Sequence, residues 1–366
     1  MRIGILTLPL HTNYGGILQA YALQTVLERM GHEVVVFNKP YYHPWYDEIQ
    51  VRQSFPRRII NKLRRIKGLM FHQKDSNIKL KQFIKRYIHQ LEVDDWYALK
   101  ESRFDAIVVG SDQIFRAKEI RKQISWEDVT IPFLSFTKGW RIKRLSYAAS
   151  FGTDDWEYSE EQTKECGDLL REFNAVSVRE KSGIQLCKEK FGVSASWVLD
   201  PTFLLEKQSY TKLFHSNNVS KSPGNLLCYI LDTNHTIEAQ VVKFSKIKHL
   251  EPFYCNQEDS DGYKYSIEAW LRGFFDAEYV ITDSFHACVF SIIFNKPFIA
   301  LGNATRGQSR FLSLLDMFDL KDRLVSANNP ERIITTLENA INWEEVNQNL
   351  EKYKHESFNW LRDNLK

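Results

Sequence analysis

Cysteine is scarce and scattered in this sequence. Its five residues, Cys166, Cys187, Cys228, Cys255 and Cys288, are odd in number and never fall in a C-x-x-C spacing. That pattern argues against a disulfide framework and against a zinc site, and makes a reducing cytoplasm the expected compartment. No apolar run reaches the ~18 residues of a membrane span. The opening MRIGILTLPL is short and precedes no small-residue cleavage site, so it reads as a buried first strand. Internal repeats at solenoid periods and low-complexity tracts are missing too. No ligand cluster for a metal is visible, and no cofactor is expected.

What is present is an ordinary globular composition. The 366 residues are 43% hydrophobic and 26% charged. Single cores stop growing near ~250–300 residues, so two domains are expected. The 24 Phe and 16 Tyr suit a large core, and secondarily a sugar-binding cleft. The net charge of +3 is unevenly spread. Between Arg52 and Gln90 twelve Lys and Arg face one acid, Asp75, which makes that stretch +11 and the remainder −8. Such asymmetry points to an anionic partner. With Ile59, Ile60, Leu63 and Ile66 at helical spacing, the segment 52–90 is expected to rest on an anionic membrane surface; a solvated helix face is the alternative. The acidic remainder and the lack of a reading motif weigh against nucleic acid.

Along the chain, apolar residues 2–9 form a strand, the turn His11–Gly16 follows, and Ile17, Leu18, Ala20, Tyr21, Leu23, Val26 and Leu27 recur at helical spacing up to Gly31. EVVVFN (33–38) is the next strand, completing a βαβ unit. Further strands are DAIVVG (105–110), LSYAAS (145–150), 175–178, LLCYIL from 226, 250–254, 279–282 and 297–301, with helices between them. This is an α/β chain of two sandwich domains. The expected division is 1–190, with a basic helical insertion near 50–90, then 191–342, and a terminal helix at 343–366 packing back on the body.

Polar clusters fall at the strand ends, where ligands bind in such sheets. Asn13, Gly15 and Gly16 open a helix, where backbone N–H groups can hold an anion, although this turn is neither G-x-G-x-x-G nor a P-loop. Ser111-Asp112-Gln113 either faces the crevice or caps a helix. Arg179, ending VSVRE, can grip a carboxylate or phosphate; a salt bridge is the competing role. In Asp283-Ser284-Phe285-His286, the histidine stands at a helix's first turn, Asp283 can orient it, and an imidazole is the natural proton donor near neutral pH. Arg306 and Arg310 also suit an anion. Cys288, in an apolar helix run, reads as a buried thiol.

Seven segments together resemble the polysaccharide pyruvyltransferase family: IGILTLPLHTNYGGILQAYALQ (3–24), VVGSDQIF (108–115), SYAASFG (146–152), VSVREKSG (176–183), VLDPTFLL (198–205), ITDSFHACVFSIIFNKPFIAL (281–301) and TRGQSRFLSLLDMFDLKDRL (305–324). The resemblance implies two Rossmann-like domains in a GT-B-like arrangement with an interdomain cleft. It implies phosphoenolpyruvate as donor and a sugar, expected to be a lipid-linked glycan, as acceptor, in making a capsule or exopolysaccharide precursor in the cytoplasm or at the inner face of the membrane. It makes His286 the acid, supported by Asp283, and Arg179 the donor-anion ligand. Asp112, Ser284, Arg306, Arg310 and the turn of Asn13, Gly15 and Gly16 complete the expected donor site. A nucleotide-sugar-dependent GT-B glycosyltransferase is the alternative, with Glu268 and Asp276 as the nearest candidates for a ribose-binding acid.

Overall fold

A computed structural model describes residues 1–39, 75–124, 128–302, 308–327 and 329–366. The first domain alternates β1 (Arg2–Leu6), α1 (Tyr14–Arg29), β2 (Glu33–Asn38), α2 (Ile78–Tyr87), β3 (Gln90–Glu92), β4 (Ala106–Gly110), α3 (Ala117–Gln123), β5 (Lys143–Ala149), α4 (Glu160–Leu170), β6 (Ala175–Val178), α5 (Lys181–Leu186) and β7 (Ser196–Trp197). The strands form one parallel sheet in the order β3-β2-β1-β4-β5-β6-β7. Every residue of β4 is buried, as a parallel strand covered on both faces requires.

Helix α6 (Lys207–Ser216) leads into the second domain: β8 (Leu226–Tyr229), α7 (His235–Lys248), β9 (Pro252–Tyr254), α8 (Ile267–Asp276), β10 (Tyr279–Thr282), α9 (Phe285–Ile293), β11 (Phe298–Gly302), α10 (Gln308–Met317) and β12 (Leu324–Ser326). Its parallel sheet runs β12-β11-β10-β8-β9. Helix α11 (Arg332–Glu338) follows, and α12 (Trp343–Asn364) returns to the first domain. There Leu199 N donates to Ser357 Oγ at 3.0 Å, and Trp360 packs on Tyr147 with ring centroids 5.9 Å apart. The first sheet therefore runs past the expected boundary at 190, because β7 pairs with β6.

Strand order reverses between β1 and β4 in one sheet and between β8 and β10 in the other. Crevices open at such switch points, outside the carboxyl ends of the strands. The first lies between residues 7–13 and Ser111–Gln113, the second between residues 230–232 and Asp283–His286.

The two halves are joined through α1. Tyr14, its first residue, stacks on Trp270 of α8 at 5.4 Å and 13°, meets the edge of Tyr229 at 6.0 Å, and donates its hydroxyl to Tyr265 O at 2.7 Å. Burial pushes this phenol well above its ordinary value, so it stays a donor. Helix α2 adds an ion pair from Lys79 to Asp259, and Lys264 N donates to Ser76 O at 2.9 Å.

The basic segment expected at 52–90 lies outside the described residues up to position 74. In its described remainder, Lys79 pairs with Asp259, Lys81 with Asp75 at 2.7 Å, and Arg86 donates to Asn217 at 2.6 Å. No helix among the described residues is long and apolar enough to cross a membrane.

Two substitutions at Tyr14 measure the joint. Tyr14→Phe is expected to lower stability by about 0.5–1.5 kcal/mol, the net value of one hydrogen bond. Tyr14→Ala is expected to lower it by about 3–5 kcal/mol through the lost aromatic packing. Urea unfolding checks both, and equal effects of the two would place the energy in the hydroxyl instead.

Candidate active site

Three polypeptide segments converge where the crevices meet. Beyond β4 comes Ser111, beyond β6 come Arg179 and Glu180, and beyond β7 comes Asp200, which caps the turn Pro201–Leu204. Asp200 Oδ1 accepts from Thr202 N at 3.1 Å and Thr202 Oγ1 at 2.7 Å. Its Oδ2 accepts from Arg179 Nη1 at 2.8 Å and Ser111 Oγ at 2.9 Å. From the second domain, His286 Nε2 comes to 3.5 Å from the same Oδ2 and hydrogen bonds to no described residue. Arg179 Nη2 reaches Asp112 Oδ1 at 3.4 Å, and the guanidinium lies 4.5 Å over the Phe285 ring. Asp112 is held in the left-handed region at φ 61°, a conformation with a steric cost for a non-glycine residue.

These charges are almost sealed from solvent. The side chains of Arg179 and Asp200 are each 1% exposed and that of His286 is 7%. Burial disfavours the Asp200 carboxylate, but the charges of His286 and Arg179 outweigh it and hold the group well below the usual carboxylate range. Arg179 is likewise penalised by burial and is nevertheless raised, by Asp200, Asp112 and Glu180. Glu180 goes the other way. Burial pushes its carboxyl up, and Arg179 with the N–H groups of Phe151 and Gly152 only partly offsets this. Its Oε2 faces Arg179 Nε across 4.0 Å, and neither atom has a hydrogen-bond partner among the described residues. Arg310, at the start of α10, is pushed down to about 10, by burial first and then by Arg179.

Gly15 fixes the ring. A Cβ at this position would stand 2.0 Å from His286 Nδ1, so only glycine lets α1 close on the imidazole. Gly16 faces Asn13 and Asp112, each 3.3 Å from where its Cβ would be. The caps of α1 and α9, Asn13 and Ser284, make no side-chain capping bond. Asn13 Nδ2 instead donates to Asp112 Oδ2 at 3.4 Å. Two helix N-termini, positive in their macrodipoles and uncapped by side chains, thus meet across the Gly15–His286 contact.

The structure therefore brings His286, Arg179, Asp112, Gly15, Gly16, Asn13, Ser284 and Arg310 to one place. Arg306 lies outside the described residues. Asp283 is placed differently from the expectation that it orients the imidazole. Its Oδ1 and Oδ2 accept from the backbone N–H groups of Leu231 and Asp232, each at 2.8 Å, tying the end of β8 to the end of β10. The carboxylate paired with His286 is Asp200. Sequence reasoning missed Asp200 and the role of Ser111, whereas the salt bridge that competes with ligand binding as the role of Arg179 is present, to Asp200 at 2.8 Å. The available signal was a polar residue following the apolar pair Val198-Leu199, the pattern that had drawn attention to Asp112. Cys288 is buried, with its thiol pushed up by desolvation. Among the described residues no group of three or more His, Cys, Asp or Glu could hold a metal ion.

A pocket of about 560 Å³ opens beside this cluster, lined by residues 8–13, Gly16, Asp112, Gln113 and parts of α2 and α3. It ends on Asp112 and Gly16, whose neighbours Arg179 and Gly15 touch Asp200 and His286. Glu268 and Asp276 belong to neither the pocket nor the cluster. Glu268 is buried in the first turn of α8, and Asp276 accepts from Ser222 N at 2.8 Å and Arg272 Nε at 3.1 Å.

The fold resembles that of sugar-nucleotide enzymes. The UDP-GlcNAc 2-epimerase from Neisseria meningitidis bound to UDP-GlcNAc aligns with a TM-score of 0.54 at 8% identity, covering 100% of this chain and 99% of that one. UGT89C1 from Arabidopsis thaliana, complexed with UDP-L-rhamnose, gives 0.54 at 8% identity, covering 98% and 97%. The glycotransferase of kitacinnamycin gives 0.52 at 11% identity, covering 100% and 99%. At these identities the likeness establishes the fold alone: two Rossmann-like domains in the GT-B arrangement. No curated protein matches the sequence. The family model for polysaccharide pyruvyl transferase matches residues 13–305, a span that includes Gly15, Asp112, Arg179, Asp200 and His286 and stops short of Arg310. The chain belongs to the polysaccharide pyruvyl transferase family, and it is a transferase.

Proposed function

We propose that the enzyme transfers the pyruvyl unit of phosphoenolpyruvate onto two hydroxyls of one sugar, forming a ketal in a precursor of a capsule or exopolysaccharide. The observation that carries this reading is the imidazole of His286, set between Asp200 and the N-terminus of α1 beside a buried arginine. The donor is an enol phosphate with a carboxylate, so it needs one acid and a concentration of positive charge. Arg179, Arg310 and the uncapped N–H groups of α1 and α9 supply the charge. His286 supplies the acid.

The chemistry runs in two stages. His286 gives a proton to the methylene carbon C3, and C2 becomes oxocarbenium-like. One sugar hydroxyl adds to C2, the C2–O bond to phosphorus breaks, and inorganic phosphate leaves. The second hydroxyl then adds to C2 and closes the ketal; of the two hydroxyl protons, one returns His286 to its acid form and the other leaves with the phosphate. Asp200 holds the imidazolium before proton transfer, and Arg179 keeps Asp200 ionised. Preorganised donors of this kind usually provide the larger share of rate enhancement. Because His286 is nearly covered, donor binding requires the cleft to part at the Gly15–His286 contact. The acceptor is a glycan on a carrier, and the reaction takes place in the cytoplasm, at or near the inner membrane face.

His286→Asn is expected to reduce donor-dependent phosphate release by roughly 10²–10⁴-fold with the melting temperature retained. Release near the wild-type rate would remove His286 from the acid role. Gly15→Ala is expected to reach a comparable loss, because its methyl displaces the ring. Arg179→Lys keeps the charge but not the fork, so the KM for phosphoenolpyruvate should rise by about tenfold while that for the acceptor is unchanged. An equal rise in both would make Arg179 structural.

A further inference from the structure

Asp112 is the charged residue that the pocket of about 560 Å³ shares with the buried cluster. Its side chain is 6% exposed, and its carboxylate is turned both ways. Oδ1 accepts from Arg179 Nη2 at 3.4 Å and from the N–H of Gln113 at 2.9 Å. Among the described residues Oδ2 accepts only from Asn13 Nδ2, at 3.4 Å, and it lies 3.3 Å from where a Gly16 Cβ would stand. Asn13 and Gly16 both line the pocket, so Oδ2 sits in its wall with lone-pair capacity for a further donor. From there the pocket runs over Leu8, Leu10 and Ile17, an apolar surface that suits the carbon face of a sugar ring. The backbone brings the carboxylate to this place in the left-handed region, at φ 61°, which glycine adopts more readily.

We propose that Asp112 is the general base of the transfer and receives the proton of the first sugar hydroxyl as it attacks C2. The proposal rests on the pyruvyl-transfer reading above, and it replaces the donor-binding role expected for Asp112. Phosphoenolpyruvate presents a phosphate and a carboxylate. A carboxylate paired with arginine has no hydrogen to offer either of them and repels both. The reactant with a hydrogen to give is the acceptor. Its ring lies on the Leu8, Leu10 and Ile17 wall with the attacking hydroxyl on Oδ2. As the hydroxyl oxygen bonds to C2, its O–H bond breaks and the proton moves to Oδ2. As the bond from C2 to the phosphate oxygen breaks, Asp112 passes that proton to the departing phosphate and is a carboxylate again. His286, having given its proton to C3, recovers one from the second hydroxyl. Acid and base thus stand at the two ends of one chain of contacts, His286–Asp200–Arg179–Asp112, in which Arg179 holds both carboxylates.

Asn and Gly both tolerate a left-handed backbone, so Asp112→Asn and Asp112→Gly remove the base and keep the turn. Phosphate release from phosphoenolpyruvate is followed with a panel of methyl hexosides as acceptors, and with water alone in the hydroxyl's place. Asp112→Asn is expected to lower the rate by roughly 10²–10⁴-fold with the melting temperature retained. Isothermal titration should show it binding phosphoenolpyruvate as tightly as the wild type, or more tightly because a negative charge has gone. Asp112→Gly is expected to regain activity with added acetate, and less with the similar-sized but less basic fluoroacetate. A carboxylate that only balanced the charge of Arg179 would not produce that order. Weaker donor binding by Asp112→Asn, release near the wild-type rate, or a Gly variant that is not rescued or is rescued without regard to basicity would overturn the proposal. If the wild-type protein releases no phosphate from phosphoenolpyruvate with any acceptor or with water, the pyruvyl-transfer reading falls and takes the base with it. Wild-type turnover beside an unimpaired Asp112→Asn variant removes the base alone.

Discussion

A single buried carboxylate organises this site. Asp200 carries a charge in a place where an unpaired ion would cost several kcal/mol, and it is tolerated because four protein hydrogen bonds and one imidazole converge on it. Its partners come from different parts of the chain. Ser111 follows β4, Arg179 follows β6, Thr202 lies in the turn leading out of the first domain, and His286 begins a helix of the second. The same contact that sets the imidazole beside a negative charge also runs from one domain to the other. Deleting Arg179 outright would leave the carboxylate uncompensated, at about 3–5 kcal/mol by the usual cost of breaking a buried pair.

The parallel sheets explain why these groups meet. Each sheet reverses its strand order once, and each reversal opens a crevice at the carboxyl ends of its strands. Helices α1 and α9 start from those crevices and present their N-termini to each other, with Gly15 making the close approach possible. Asp283 stabilises this arrangement by joining the two strands that border the second crevice. Tyr14 does so by stacking on the second domain one residue before the glycines. The geometry of the cluster is thus set by backbone topology, and the polar side chains complete it.

Much of this was legible in the residues, for reasons that can be named. The first βα unit announces itself because a buried parallel strand reads as a continuous apolar run, and because two glycines interrupt it where the helix begins. His286 and Arg179 stood out as polar residues following apolar strands. Asp283 was assigned to the imidazole because it is three residues away in the chain. Sequence proximity misled there, since the residue at the carboxyl end of β10 is captured by the backbone across the switch point. Asp200 is 86 positions from His286, and nothing local marks the pairing. It follows a two-residue strand, too short to show a period. The last strand of the first sheet is hard to read for the same reason, because β7 is only Ser196–Trp197.

The most direct test is a structure of the protein with phosphoenolpyruvate bound. The methylene carbon is predicted to lie about 3–3.5 Å from His286 Nε2, the distance of a reactive approach, with the donor's phosphate or carboxylate on Arg179 and the Asp200–Arg179 pair intact. A donor seated with its methylene turned away from the imidazole, or held outside the Gly15–His286 seam altogether, would contradict the assignment of His286 as the acid.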